Sequence, residues 1–124
     1  MAIAGTADGS LAGPVGTTVS GAASVVAEAV RIHETTGNLT IDTAQQNAWK
    51  TDTAAYMANA AAIKTRLGWT DAASHVRAGI EARATGDISL ASDWNLFGWR
   101  DGGEPGLLTL RAGGDVNLNA SLND

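Results

Sequence analysis

Apolar and polar residues alternate in three places along the chain, each directly after a Gly-Asn or Gly-Asp pair: Leu39 and Ile41, Ile88 and Leu90, Val116 and Leu118. Alternation of period two sends successive side chains to opposite faces of a strand, so each pair marks one buried face. The flanking residues repeat as well. Ile80-Glu81-Ala82-Arg83-Ala84-Thr85-Gly86-Asp87-Ile88-Ser89-Leu90 lies on Leu108-Thr109-Leu110-Arg111-Ala112-Gly113-Gly114-Asp115-Val116-Asn117-Leu118. A looser copy, Val30 to Ile41, fits if one extra residue is allowed before its glycine. Strand-turn-strand units that cannot cover their own apolar face have to stack on one another, which predicts a mainly β solenoid.

Between the first and second copies the period changes. Trp49, Tyr56 and Ile63 are seven apart, with Thr53, Ala60 and Leu67 offset by four, which is one stripe of an amphipathic helix over about 43–67. Asp42 or Thr43 can cap its start, Gly68 can end it in a left-handed turn, and Lys64 and Arg66 oppose the negative end of its dipole. The first rung runs from Val25 to near Thr43, and after a polar connector, 69–74, strands resume at Val76, Ile80 and Ala82. The helix is therefore an insertion between two rungs, its Trp49/Tyr56 face packed on them. Residues 1–24 are rich in Gly, Ala, Ser and Thr and read either as a leader or as first rungs built on Ile3, Leu11, Val15 and Val19. Residues 25–124 form the repeat segment, one domain in all.

Composition narrows the function. Aromatics are 5% of the 124 residues and much of the apolar content is alanine, which suits thin regular layers better than a bulky centre. The net charge is −5 and the basic residues are scattered, which argues against nucleic acid and against an anionic membrane surface. There is no cysteine, hence no disulfide and no thiolate metal site. No apolar run approaches the roughly 20 residues that span a bilayer, so membrane insertion is not expected. Residues 1–10 lack a basic stretch followed by an apolar one, and 118–124 stop as though another strand should follow. Both suggest a piece of a longer chain.

The run Gly86-Asp87-Ile88-Ser89-Leu90-Ala91-Ser92-Asp93-Trp94, then Trp99-Arg100, then Gly102-Gly103-Glu104-Pro105-Gly106-Leu107-Leu108-Thr109-Leu110-Arg111, closely resembles a segment of the filamentous haemagglutinin family. The helix Ala60-Ala61-Ala62-Ile63-Lys64-Thr65-Arg66-Leu67-Gly68 does so too, and the resemblance covers roughly residues 30–124. It implies a right-handed parallel β-helix, here with one inserted amphipathic α-helix. It also implies a large exoprotein of Gram-negative bacteria, secreted through a dedicated outer-membrane pore by two-partner secretion, and in many cases an adhesin on the cell surface. The family's secretion domain is not visible here, nor is a carboxy-terminal toxin or receptor-binding module.

No catalytic constellation is expected. His33, in a rung, and His75, in the connector region, are read as solvated surface groups, and no Gly-x-Ser-x-Gly nucleophile motif occurs. Gly113-Gly114-Asp115 lacks the following helix and lysine of a nucleotide loop. Asp87 and Asp115 repeat at equivalent positions and are expected to brace their own turns rather than bind calcium, whose β-roll sites need tandem copies. No cofactor or metal is implied. Trp94, Phe97, Trp99, Arg100, Asp101 and Glu104 make up a long aromatic and acidic loop that serves as the candidate binding surface. Its aromatics are expected to seal the gap between rungs and helix, with sugar stacking as the alternative. Asp93, Asp101 and Glu104 could act as paired carboxylates only if held at a fixed separation; Arg100 is expected to pair with Asp93 or Glu104 and fix the loop. The expected role is thus a structural shaft segment, non-enzymatic, associating with neighbouring rungs of a parent chain or end to end with itself. The alternative is a module in which Trp94–Trp99 binds a host glycan or surface protein.

Overall fold

The computed structural model describes residues 23–124. The strands expected at Ile3, Leu11, Val15 and Val19 lie outside the described residues. The described chain is mainly strand: β1 (Val25–Thr35), β2 (Leu39–Ile41), β3 (Ser74–Ala84), β4 (Ile88–Leu90), β5 (Trp94–Asn95), β6 (Leu107–Ala112), β7 (Val116–Leu118) and β8 (Leu122–Asn123). Helices α1 (Thr43–Met57) and α2 (Ala60–Leu67) lie between β2 and β3, and a 3-10 turn (Leu96–Trp99) follows β5.

All strand pairs are parallel and fall into three sheets, β1-β3-β6, β2-β4-β7 and β5-β8. The chain enters the first two sheets three times and the third sheet twice, in three successive tiers. The helices occupy the third side of the first tier, where β5 and β8 stand in the second and third. Gly79 pairs with Leu107, Ile88 with Val116 and Trp94 with Leu122, a constant step of 28 residues. From the first tier to the second the step is 49, Leu39 to Ile88 and Val25 to Ser74, the difference being the helical insertion.

Alternation in the middle tier follows from burial on one face. In β3 Val76, Ala78, Ile80, Ala82 and Ala84 are buried while His75, Arg77, Glu81 and Arg83 are not. The apolar columns Leu39/Ile88/Val116, Ile41/Leu90/Leu118 and Trp94/Leu122 are buried in the first two tiers and exposed in the third. The first tier departs from the sequence reading. Arg31, not Val30, stands over Ile80, so the first copy needs no extra residue before its glycine. Inner positions of β1 therefore include Arg31 and His33, which face the helix instead of a hydrocarbon layer.

The helix expected over 43–67 is two helices. Asp42 caps α1, its carboxylate accepting the Gln45 N–H at 2.9 Å, and Gly68 closes α2 with φ 69°. Between them the Asn59 amide donates to the Ala55 carbonyl at 3.1 Å while the Asn59 N–H donates back to Tyr56, not Ala55. A side chain that takes the helix's own acceptor breaks the ladder there. Trp49, Thr53, Tyr56 and Ile63 are buried against the sheets, as the stripe requires.

Candidate functional site

The turns between strands hold the tiers together through side chains. The Asn38 Oδ1 accepts the Asp87 N–H at 2.9 Å, and the Asp87 Oδ1 accepts the Asp115 N–H at 2.9 Å. Each residue thus fastens the turn above it, not its own turn as the sequence suggested. Asp93 repeats the device, its Oδ1 accepting the Ser121 N–H at 2.8 Å. Gly113 and Gly86 are required by this close stacking: a Cβ on Gly113 would collide with the Thr85 carbonyl, and one on Gly86 with the Asn38 amide oxygen.

The aromatic loop divides into a buried half and an exposed half. Trp94 is 2% exposed, its ring 5.8 Å from Trp49 and 4.9 Å, edge-on, from Trp99. Trp99 is partly buried against the same core. Phe97 is 64% exposed, with the Arg100 guanidinium 5.3 Å over its ring. Arg100 does not pair with Asp93 or Glu104; its Nη2 reaches both carboxylate oxygens of Asp124, at 3.1 and 2.9 Å. That partner lies 24 residues ahead, in the tier above.

Glu104 is engaged elsewhere too. Its Oε1 lies 2.5 Å from His75 Nδ1 and its Oε2 accepts from Arg77 Nε at 3.3 Å. The His75 hydrogen bond, helped by Arg77, holds the Glu104 carboxyl below the usual carboxylate range against a smaller opposing effect of burial. His75 is therefore a strand residue of β3 with a carboxylate partner, not a solvated group in a connector. Asp101 and Glu104 bridge as a tight hairpin across Gly102 (φ 62°) and Gly103 (φ 86°), both in the left-handed conformation such a turn needs. The loop's carboxylates are thus dispersed, one to a backbone amide of the next tier, one to a hairpin and one to His75 and Arg77. A cleft of about 60 Å³ lies beside Met57, Trp99, Glu104 and Leu108. A second, more open cleft of about 420 Å³ lies between the hairpin at Asp101, Gly102 and Glu104 and the helix residues Met57, Ala60 and Lys64, within the roughly 300–1,000 Å³ typical of small-molecule sites.

Two features were not foreseen from the sequence. Under α1, His33 stacks on Trp49 at 5.3 Å, and its Nε2 lies 3.8 Å from Asp52, beyond hydrogen-bond reach. Asp52 instead pairs with Arg31 at 3.2 Å. Burial lowers the His33 pKa below 6.5 and Arg31 lowers it further, against a smaller raising effect of Asp52. On the outer face of the first sheet, Glu34, Arg83 and Arg111 stand in one column. Arg83 pairs with Glu34 at 3.4 Å, and Glu81 takes both Arg83 at 2.8 Å and Arg111 at 2.9 Å.

The third tier is the open part of the molecule. Among the described residues no strand pairs with the far edge of β6, β7 or β8. Val116, Leu118 and Leu122 are 46%, 57% and 39% exposed, whereas Ile88, Leu90 and Trp94 directly beneath them are buried. Comparison with protein-family models, with curated proteins and with solved structures finds no match. The chemistry of these surfaces is read from their own geometry.

Proposed function

We propose that the chain is a length of right-handed parallel β-helix serving as a structural shaft segment in a secreted, cell-surface exoprotein of the adhesin type. The observation that carries this reading is the constant 28-residue step shared by all three sheets. A constant step on three sides of one chain is what a coil of equal turns produces, and parallel crossovers are right-handed in nearly all folds. The side-chain ladder from Asn38 to Asp87 to Asp115 supports it, since its members serve only to lock one turn on the next. Secretion through an outer-membrane pore and a bacterial surface location follow from the sequence resemblance to filamentous haemagglutinins. A shaft has no substrate; it holds other parts of its parent chain away from the cell.

The second reading, a glycan- or protein-binding face, is favoured by one feature, the exposed Phe97 ring with Arg100 above it. Trp94 and Trp99 are turned into the core and lend it little. Binding of the purified chain to panels of glycans and host surface proteins separates the two readings. A shaft shows no saturable binding. Saturable binding that Phe97→Ala abolishes at unchanged melting temperature would replace the shaft with the binding module.

A further inference from the structure

The cleft of about 420 Å³ beside the hairpin comes from a gap in the third tier. β3 begins at Ser74, but β6 pairs with it only from Gly79 onward, so Val76 has no strand of that tier beside it. The turn of residues 101–104 stands there instead and leaves a space between itself and the helices. Val76 lines the bottom of that space, Met57 and Ala60 its helical wall, and Asp101 and Glu104 the wall opposite.

The charges around the cleft pair off, with two exceptions. Glu104 is met by His75 and Arg77, and Arg100, next to Asp101 in the chain, is taken by Asp124. Lys64 lines the cleft from α2 and Asp101 lines it from the hairpin, and neither forms an ion pair among the described residues. Both are half-buried. A charge in that position has given up part of its hydration with nothing in return, and an opposite charge brought to it is attracted more strongly than in open water. The cleft lies between the two, so they do not relieve each other. A molecule with a charge at each end relieves both.

We infer that this cleft binds a short zwitterion with an apolar body, an apolar dipeptide, its carboxylate on the Lys64 ammonium and its amino terminus on the Asp101 carboxylate. The side chains of the peptide lie on Val76, Met57 and Ala60. A single amino acid fits poorly, because both of its charges sit on one carbon while Lys64 and Asp101 stand on opposite walls. Phe97 does not line the cleft, so the site is separate from the exposed aromatic face. It goes beyond the shaft reading and does not depend on it: a ligand is added to a segment whose other contacts hold its turns together.

Calorimetric titration of the full chain with leucyl-leucine at pH 7 tests this, since there the peptide's amino terminus is largely protonated and its carboxyl group ionised. Saturable binding is expected. N-acetyl-leucyl-leucine and leucyl-leucine amide each lack one charge, and each should bind about tenfold more weakly. The variants should cancel one preference apiece. Lys64→Gln should bind leucyl-leucine and its amide alike, and Asp101→Asn should bind leucyl-leucine and its acetylated form alike. Phe97→Ala should bind as the parent does. Circular dichroism checks that each variant keeps its strand signal; should one fail to fold, the two capped peptides on the unmodified chain decide alone.

No saturable binding of leucyl-leucine overturns the inference and leaves the shaft reading standing. Binding that is indifferent to both caps overturns it in favour of a purely apolar contact. Binding that Phe97→Ala abolishes overturns it as well, and moves the ligand to the aromatic face at the expense of the shaft reading.

Discussion

Replacing Trp94 by alanine tests whether the tryptophan loop is part of the core or of a recognition surface. Trp94 is 2% exposed and stands between the rings of Trp49 and Trp99, with Leu122 above it. A tryptophan that is fully covered removes about 200 Å² from water, roughly 5 kcal/mol at 25 cal/mol per Å². Alanine keeps a small part of that and the neighbours relax into some of the space, so Trp94→Ala should destabilise by about 4 kcal/mol. Phe97→Ala is the matched control: with most of its ring in solvent it should change stability by less than about 1 kcal/mol. In a domain of this size 1 kcal/mol corresponds to about 4 °C, so the two variants should melt about 15 °C and under 4 °C below the parent. Thermal melts by circular dichroism, with urea titrations at 25 °C, read both. A Trp94→Ala chain that melts within about 3 °C of the parent refutes the packing argument, and with it the division of the loop into buried and exposed halves.

Three further outcomes follow from the tier contacts. Asp87→Ala should lower stability by about 1 kcal/mol in urea because it strips the Asp115 N–H of its acceptor; Asp87→Asn keeps an acceptor oxygen and should stay within about 0.5 kcal/mol. Gly113→Ala forces a methyl into the Thr85 carbonyl and should destabilise by more than about 2 kcal/mol, visible as a lowered urea midpoint. The lowered His33 pKa means the unfolded chain takes up that proton first. Its contribution is whole above pH 6.5 and is lost as pH falls from there through the folded value. Urea midpoints from pH 7.5 to 5.5 should therefore fall less in His33→Gln than in the parent, and equal slopes would refute the burial of His33.

The turn columns were legible because a repeat in sequence became a repeat in space: Asn38, Asp87 and Asp115 do stack. So was the buried stripe Trp49, Tyr56, Ile63, because it depends only on helical period. What escaped depends on which tiers meet. The polar inner positions Arg31 and His33 were hidden by aligning Val30 with Ile80, a choice that favoured apolar identity over equal spacing to the glycine. The break at Asn59 carries no glycine or proline to announce it. Trp94 and Phe97 are three residues apart and chemically alike, and only the position of α1 decides which is covered. Glu104 could have been placed from the 28-residue step, which sets it level with Val76, between His75 and Arg77. The Arg100–Asp124 pair follows no such step and was out of reach.

The parallel stacking also determines how the molecule would bear load. Tension along the stacking axis pulls in the direction of the hydrogen bonds between tiers, so they fail a row at a time instead of together. Each turn that peels away releases 28 residues, roughly 95 Å of slack, and the turn that carries the helices releases 49, roughly 165 Å. Chain released in this way lengthens in discrete steps, and the step that carries the helices is the longest.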